Sequence, residues 1–378
     1  MARVIAAASR AKPADAVLRE TLRTVGRLTS AESREVSRAV FAYYRWLGLL
    51  DRKLPVEEQV ERALELARRF ADAPELFSDD DLLERAVPAW AREELDVSPA
   101  WAAVIQAEPV LWLRARRGQG EKLAKKLGDG AVHARTAAAA TGEVTLPDAV
   151  LYEGEEDLFR TPEFQAGEFE IQDIASQAVG LLCDPKPGET WWDACAGEGG
   201  KTLHLSDLMQ NKGHIWASDR AEWRLKKLKL RAGRAKCFNY RAALWEGGER
   251  LPMRTKFDGV LVDAPCSGTG TWQRNPHARW TTTPEDVREL AEVQKRLLSN
   301  VALAVKPGGR LIYSVCTLAR SETSAVAEQF FVSHPEFALL PLANPFQPLA
   351  TVAPQLWLWP QDTGGNGMFV AAWRRAET

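Results

Sequence analysis

Cysteine is scarce in this chain of 378 residues, and long apolar runs are absent. The five cysteines, at 183, 195, 237, 266 and 316, are too few and too scattered for a disulfide framework, and no CxxC pair suggests zinc. A reducing cytoplasm is the expected setting, with no metal site. Nothing approaches the roughly 20 apolar residues that a membrane helix needs. The Ala-rich start, Met1–Pro13, is broken by Arg3, Arg10 and Lys12 and no apolar stretch follows, so it does not read as a signal peptide. A basic excess is missing as well. Lys and Arg number 49 against 51 Asp and Glu, whereas a protein that neutralises phosphates usually leaves a positive footprint.

What is present is the balance of an ordinary globular protein, 46% hydrophobic and 26% charged, in a chain long enough for two or three domains. Charge is segregated along it. Residues 1–50 hold nine Lys/Arg against four Asp/Glu, and residues 51–110 hold seven against fifteen. Solvated helix faces account for such segregation unless a second nucleic-acid signal accompanies it.

The stretch from Asp15 to Phe70 has helical periodicity. Val36, Val40, Tyr43 and Leu47 share a stripe, and Thr29 with Glu32 fits a capping box ahead of it. Residues 71–81, acidic and Pro-containing, read as a linker. From 82 to 150 the pattern is mixed, with a strand expected over Trp112–Arg117 and turns at Gly128, Gly130 and Gly142. Beyond Leu151, short apolar strands alternate with helical segments, the signature of a mainly parallel α/β sheet. Strands are expected at Thr190–Asp193, His214–Asp219, Phe257–Asp263, Arg310–Cys316 and Gly367–Trp373, with a helix over Pro284–Val305. These shifts divide the chain into a helical part (1–75), a small connecting subdomain (76–150) and a sheet domain (151–378).

Two constellations carry chemistry. In the first, DACAGEGGKT (residues 193–202), a strand ending in Asp193 runs into a Gly-rich loop and a helix, so the backbone can approach a ligand at the helix N-terminus. It is not a phosphate-binding Walker sequence, since Cys195 stands where Gly is required. Asp219 ends the next strand nineteen residues after Gly200, near the spacing that sets a carboxylate on ribose hydroxyls. An adenosine-type ligand is expected across Cys195, Ala196, Gly197, Glu198, Gly199, Gly200, Lys201 and Asp219. A tight strand-to-helix turn without a ligand is the bland alternative.

The second constellation is a pair of strand ends, VDAPCSGTG (262–270) and GGRLIYSVCT (308–317), which deliver Asp263, Cys266 and Cys316 to the edge where open α/β sheets bind ligands. A lone cysteine is more often a small buried hydrophobe, and that reading suits Cys183 and Cys237, with Cys195 packing in its loop. The polar, Gly-rich flanks of Cys266 and Cys316 point instead to chemistry. Spacing alone leaves those two interchangeable.

Together with FEIQDIASQ (169–177), these segments resemble the successive motifs of the Nol/Nop/Sun family of RNA cytosine-5 methyltransferases, over about Leu151 to Arg374. The helical N-terminus is similar to the NusB-like extension of the bacterial branch that acts on small-subunit ribosomal RNA. The resemblance implies a Rossmann-like class I methyltransferase sheet, preceded by an all-α NusB-like domain and a small α+β subdomain. It implies S-adenosylmethionine as cofactor, and RNA rather than DNA or a membrane as partner, with the chain acting as a monomer in the cytoplasm. Cys316 is assigned as the nucleophile that adds to carbon 6 of cytosine and Cys266 as the group that releases the product. Asp263 is assigned to the ring nitrogen and the cofactor, and Lys201 to the thiolate's surroundings. Gly197-Glu198 stand where that family usually shows Ala-Pro, and no acidic residue between Asn239 and Glu246 matches its adenine-side contact.

A base must leave its stack to enter such a pocket, so a single-stranded or flipped substrate is expected. Basic and aromatic residues interleave over Trp272–Trp280, a candidate RNA surface, and residues 220–236 carry eight Lys/Arg, which fits either RNA or solvent. The rivals are a transfer-RNA cytosine methyltransferase, a methyltransferase-like ribosome-assembly factor without turnover, a DNA cytosine methyltransferase attacking through Cys266, and a small-molecule methyltransferase that needs neither cysteine.

Overall fold

In the computed structural model, which describes residues 1–26, 28–128, 134–136 and 146–377, the chain forms two compact units. Met1–Pro109, Ser267–Val287 and Thr317–Arg320 make a helical unit; Val110–Cys266, Arg288–Cys316 and Ser321–Thr378 make a sheet unit. The division at Pro109 falls inside the segment 76–150 expected as a connecting subdomain. Gly130 and Gly142, expected as turns, lie outside the described residues.

The helical unit begins to order where side chains satisfy free backbone groups. At Ser30–Trp46 the Thr29 hydroxyl accepts from Glu32 N–H while the Glu32 carboxylate accepts from Thr29 N–H at 2.6 Å, the expected capping box. Val40, Tyr43 and Leu47 then enter a core shared with Val60, Leu66 and Phe70 of the helix Val56–Asp72. The acidic stretch read as a linker instead starts a helix, Asp79–Arg85. Ser78 caps it and Asp79, Asp80 and Asp81 complement the positive helix end.

Within Trp272–Trp280, read as an RNA surface, every residue except the exposed Arg274 is buried or half-buried. Trp272 and Arg279 are fully buried in the helical unit. The Arg279 guanidinium donates to the carbonyls of Arg45, Ala86, Ile105 and Trp272 and to Gln106 Oε1, and Trp280 Nε1 donates to Tyr44 O. Arg279 and Trp280 therefore satisfy interior carbonyls, while Arg274 stays at the surface.

The sheet unit holds two sheets. A small antiparallel one has the order β2-β3-β1-β4, from β1 (Leu111–Ala115), β2 (Ala134–Thr136), β3 (Ala149–Tyr152) and β4 (Phe169–Ile171). The large one comprises β5 (Thr190–Asp193), β6 (His214–Asp219), β7 (Tyr240–Leu244), β8 (Phe257–Asp263), β9 (Val305–Val315), β10 (Phe337–Leu339), β11 (Gln355–Leu358) and β12 (Met368–Arg375). Its order is β10-β12-β9-β8-β5-β6-β7, with β11 also paired to β12. β5 to β9 run parallel and β12 is antiparallel to β9. This is the Rossmann-like methyltransferase architecture expected from the sequence.

Side-chain alternation fills both faces. In β5, Trp191 joins one core and Trp192 the other; in β9, Ile312 faces the first while Leu311, Tyr313 and Val315 face the second. Gly259 is required in β8, because a Cβ there would lie 2.3 Å from the Trp191 ring. Chain order reverses between β5 and β8, and at that switch point the carboxyl ends of parallel strands open a crevice for ligands. Among the described residues, no helix is long and apolar enough to cross a membrane.

Candidate active site

The crevice is a cavity of about 430 Å³ in the sheet unit, and the strand ends furnish its walls. β5 ends in Asp193 and turns through Gly197 and Gly199, both at positive φ (55° and 90°), into the helix Gly200–Leu208. β-Carbons are disfavoured at these angles, so glycine permits the turn that presents the helix start to the cavity. Gly197 N–H donates to Asp219 Oδ2 at 3.0 Å, and Ala221 N–H donates to Asp219 Oδ1 at 2.8 Å, tying the loop to the end of β6.

Cys195, Ala196, Gly197, Glu198, Gly200, Lys201 and Asp219 all line the cavity. Gly199 shapes the loop without joining that lining; its face is against Leu228. Asp263, Cys266 and Cys316 line the same cavity, so the two sequence constellations meet in one place. Cys183 and Cys237 are buried away from it.

The meeting follows from sheet register. β8 and β9 are parallel neighbours with Asp263 opposite Ser314, so residues just beyond each strand end face each other. Cys266 Sγ and Cys316 Sγ lie 3.4 Å apart. Asp263 is fixed on both oxygens: Ser314 Oγ donates to Oδ1 at 2.8 Å and Lys201 Nζ to Oδ2 at 2.7 Å.

The surroundings of the Cys316 sulfur favour its thiolate. The hydrogen bond from Cys266 draws the Cys316 thiol below its ordinary range, burial and the Asp263 charge oppose this, and the Lys201 charge assists it. Lys201 is almost wholly buried. Burial favours its neutral form, yet the Asp263 charge and hydrogen bond, with Cys316 and Asp193 behind them, keep its pKa raised and the ammonium charged. Cys195 is pushed up by burial, which suits a lining residue better than a nucleophile.

Several lining residues escaped the sequence reading. Asp193 is fully buried and, among the described residues, its Oδ1 has no hydrogen-bond partner, although Oδ2 accepts from Thr202 Oγ1 at 2.6 Å. Burial raises its carboxyl to about 7, against the opposing Thr202 hydrogen bond. Its place at the end of a strand, like Asp219 and Asp263, was the available signal. Trp245 and Glu246 reach the cavity after β7, so an acidic group does stand at that wall. Arg220 and Arg224 line it too, and Glu198 is held by Lys227 at 2.7 Å.

An adenosylated, cationic ligand fits this donor set. Asp193 offers an orphaned buried acceptor, Asp219 a buried carboxylate at the loop, and Trp245, Val293 and Leu297 an apolar wall for a flat ring.

The comparisons agree with the architecture. Residues 180–374 match the family model described as 16S rRNA methyltransferase RsmB/F. Over 338 residues the chain is 31% identical to a Synechocystis protein named Probable ribosomal RNA small subunit methyltransferase B, covering 87% of this chain and 73% of that protein. Ribosomal RNA small subunit methyltransferase B of Cronobacter sakazakii is 31% identical over 77% of this chain and 64% of its own length. The crystal structure of PH0851 superposes with a TM-score of 0.79 over 96% of this chain and 95% of its own, at 24% identity, a likeness of fold. With that family model spanning the strands and loops that build the cavity, the chain belongs to the RsmB/F family of 16S rRNA methyltransferases.

Proposed function

We propose that this chain methylates carbon 5 of a cytosine in small-subunit ribosomal RNA, with Cys316 as covalent nucleophile and S-adenosylmethionine as methyl donor. The observation that carries the reading is the pair of thiols, 3.4 Å apart, beside the Lys201–Asp263 ion pair in one cavity. A methyltransferase acting on an oxygen, a nitrogen or a small nucleophilic molecule has no use for two converging cysteines.

Carbon 5 of cytosine is a weak nucleophile. Addition of the Cys316 thiolate to carbon 6 moves the ring's electron pair toward carbon 5, which then forms the new bond to the methyl group. S-adenosylmethionine, when bound, supplies that electrophilic methyl; Asp193, Asp219 and the Gly197–Gly200 backbone would hold it. With substrate bound, Asp263, oriented by Ser314 and taking a proton from the Lys201 ammonium, would donate to the ring nitrogen where negative charge develops, and that hydrogen bond lowers the barrier. The proton on carbon 5 must then be removed as the carbon 6–sulfur bond breaks and its electron pair returns to Cys316. Cys266, adjacent to that sulfur, is the group in place to promote release.

The test incubates ribosomal RNA and labelled S-adenosylmethionine with wild type, Cys316→Ala and Cys266→Ala. Cys316→Ala is expected to transfer no methyl group, and Cys266→Ala to accumulate a protein–RNA adduct that survives denaturing electrophoresis. Activity retained in Cys316→Ala, or an adduct that requires Cys266, overturns the assignment. Mapping the modified base in ribosomal and transfer RNA tests the substrate.

A further inference from the structure

We infer that the exposed face of the helix Glu222–Arg234 is a docking surface for a single-stranded RNA segment flanking the target base, with Trp223 as its stacking platform. This rests on the RNA-methylating function proposed above.

Two observations single the surface out. The first is charge: residues 220–244 hold nine Lys/Arg and one acid, Glu222, in a chain whose overall net charge is −2. The second is exposed apolar area amid that charge. Of the fourteen tryptophans, all within the described residues, only Trp223 is exposed, at 53%. Leu230 (75%) and Phe238 (76%) are exposed nearby in sequence. A merely solvated helix face has no need of such groups.

Helical spacing puts Trp223, Lys226, Lys227 and Leu230 on one face, at i, i+3, i+4 and i+7. The Arg224 guanidinium and Lys227 ammonium lie 5.3 Å and 4.9 Å from the Trp223 ring. Arg224 also lines the candidate active-site cavity, as does Arg220, so the patch is continuous with the cavity's lip. Part of the charge is internal: Arg231 and Arg234 hold the buried Glu170 and Lys227 pairs with Glu198. Arg220, Lys226 and Lys229 are exposed, and among the described residues the ion pair on these three is that of Lys226 with the exposed Glu222. An aromatic ring flanked by cations beside a pocket for a flipped base is the chemistry of sequence-tolerant single-strand binding, in which bases stack and phosphates neutralise.

The experiment measures binding of a short fluorescein-labelled single-stranded RNA by anisotropy, without cofactor, over a range of salt, and RNA methylation separately. Trp223→Ala is expected to weaken binding about tenfold, with Trp223→Phe retaining most of the affinity. Lys226→Glu with Lys229→Glu is expected to weaken it further and to flatten the log–log salt slope by about 1.4, since each cation on a single strand contributes about 0.7. Lys122→Glu with Lys125→Glu, the same charge change on another exposed helix, is expected to stay close to wild type. Affinity for the labelled RNA unchanged in the Trp223 and Lys226/Lys229 variants overturns the inference. If wild type binds RNA through this face yet methylates none, the functional reading falls and the surface stands. If those variants bind and methylate as wild type does, the surface falls alone.

Discussion

The sulfurs of Cys266 and Cys316 lie 3.4 Å apart, and the hydrogen bond between them is the largest influence lowering the Cys316 thiol. Lys201 adds to that lowering. Because only the thiolate is nucleophilic, the rate of Cys316 alkylation by iodoacetamide should reach half its maximum below the ordinary thiol range. Cys266→Ala and Lys201→Met each remove a lowering influence, so each should move that midpoint upward. Alkylation followed by peptide mass spectrometry checks this, and an unmoved midpoint in both variants sinks it.

Asp193 gives a pH dependence of definite sign. Its carboxyl titrates near 3.8 when unperturbed and is raised to about 7 in the fold, chiefly by burial. Between those values the folded chain binds a proton that the unfolded chain does not, so stability falls as pH rises from about 4 to about 7 and is flat above. Three units correspond to at most about 4 kcal/mol. Asp193→Asn should therefore raise the unfolding temperature at pH 8 and flatten its pH profile. A cationic ligand at the orphaned Oδ1 favours the ionised form, so S-adenosylmethionine affinity should strengthen with pH up to about 7 in wild type and not in the variant. Thermal denaturation and titration calorimetry across pH read both effects.

Much of the cavity was legible because buried parallel strands advertise themselves. β5, β6 and β8 are apolar runs that each end in an aspartate, and those three carboxylates mark one edge of the sheet. β7 was missed because Arg241, Ala242 and Leu244 are exposed at a sheet edge, which breaks the apolar pattern, and with it went Trp245 and Glu246. Arg279, within the run 272–280, is interior, which was not legible because composition does not show whether an arginine meets phosphate or interior carbonyls. The approach of the two cysteines required the pairing of Asp263 with Ser314, a register between strands fifty residues apart that no local pattern encodes.

Arg279 is fully buried, and its hydrogen bonds go to four carbonyls and one amide oxygen. Burial, then the charge of Arg45, lowers its pKa to about 9. Arg279→Met leaves those acceptors bare and should cost about 1–3 kcal/mol, the range for buried acceptors left without a donor. Arg279→Lys should recover only part, since an ammonium has three donors and lacks the guanidinium's planar reach. Denaturant titration of the full chain measures both; a loss under about 1 kcal/mol for the Met variant contradicts the assignment of Arg279 as a structural tie.

Gln294 is hydrogen-bonded to the loop that carries Cys266. It is fully buried, and its Nε2 donates to Pro265 O and to Glu322 Oε1 at 2.9 Å each while its Oε1 accepts from Tyr313 Oη at 2.9 Å. The bond to Pro265 fixes the carbonyl immediately before Cys266, so Gln294 positions the release group without touching the reacting atoms. Gln294→Leu should lower stability by about 1–3 kcal/mol, because the buried Pro265 carbonyl loses the Gln294 amide donor. A structural role alone predicts nothing more. Positioning predicts in addition that the denaturation-resistant protein–RNA adduct builds up at temperatures where the variant is folded, as in Cys266→Ala, because release slows while attack by Cys316 continues. An adduct fraction equal to wild type in a folded Gln294→Leu sample would show that the Pro265 contact stabilises the loop without governing release.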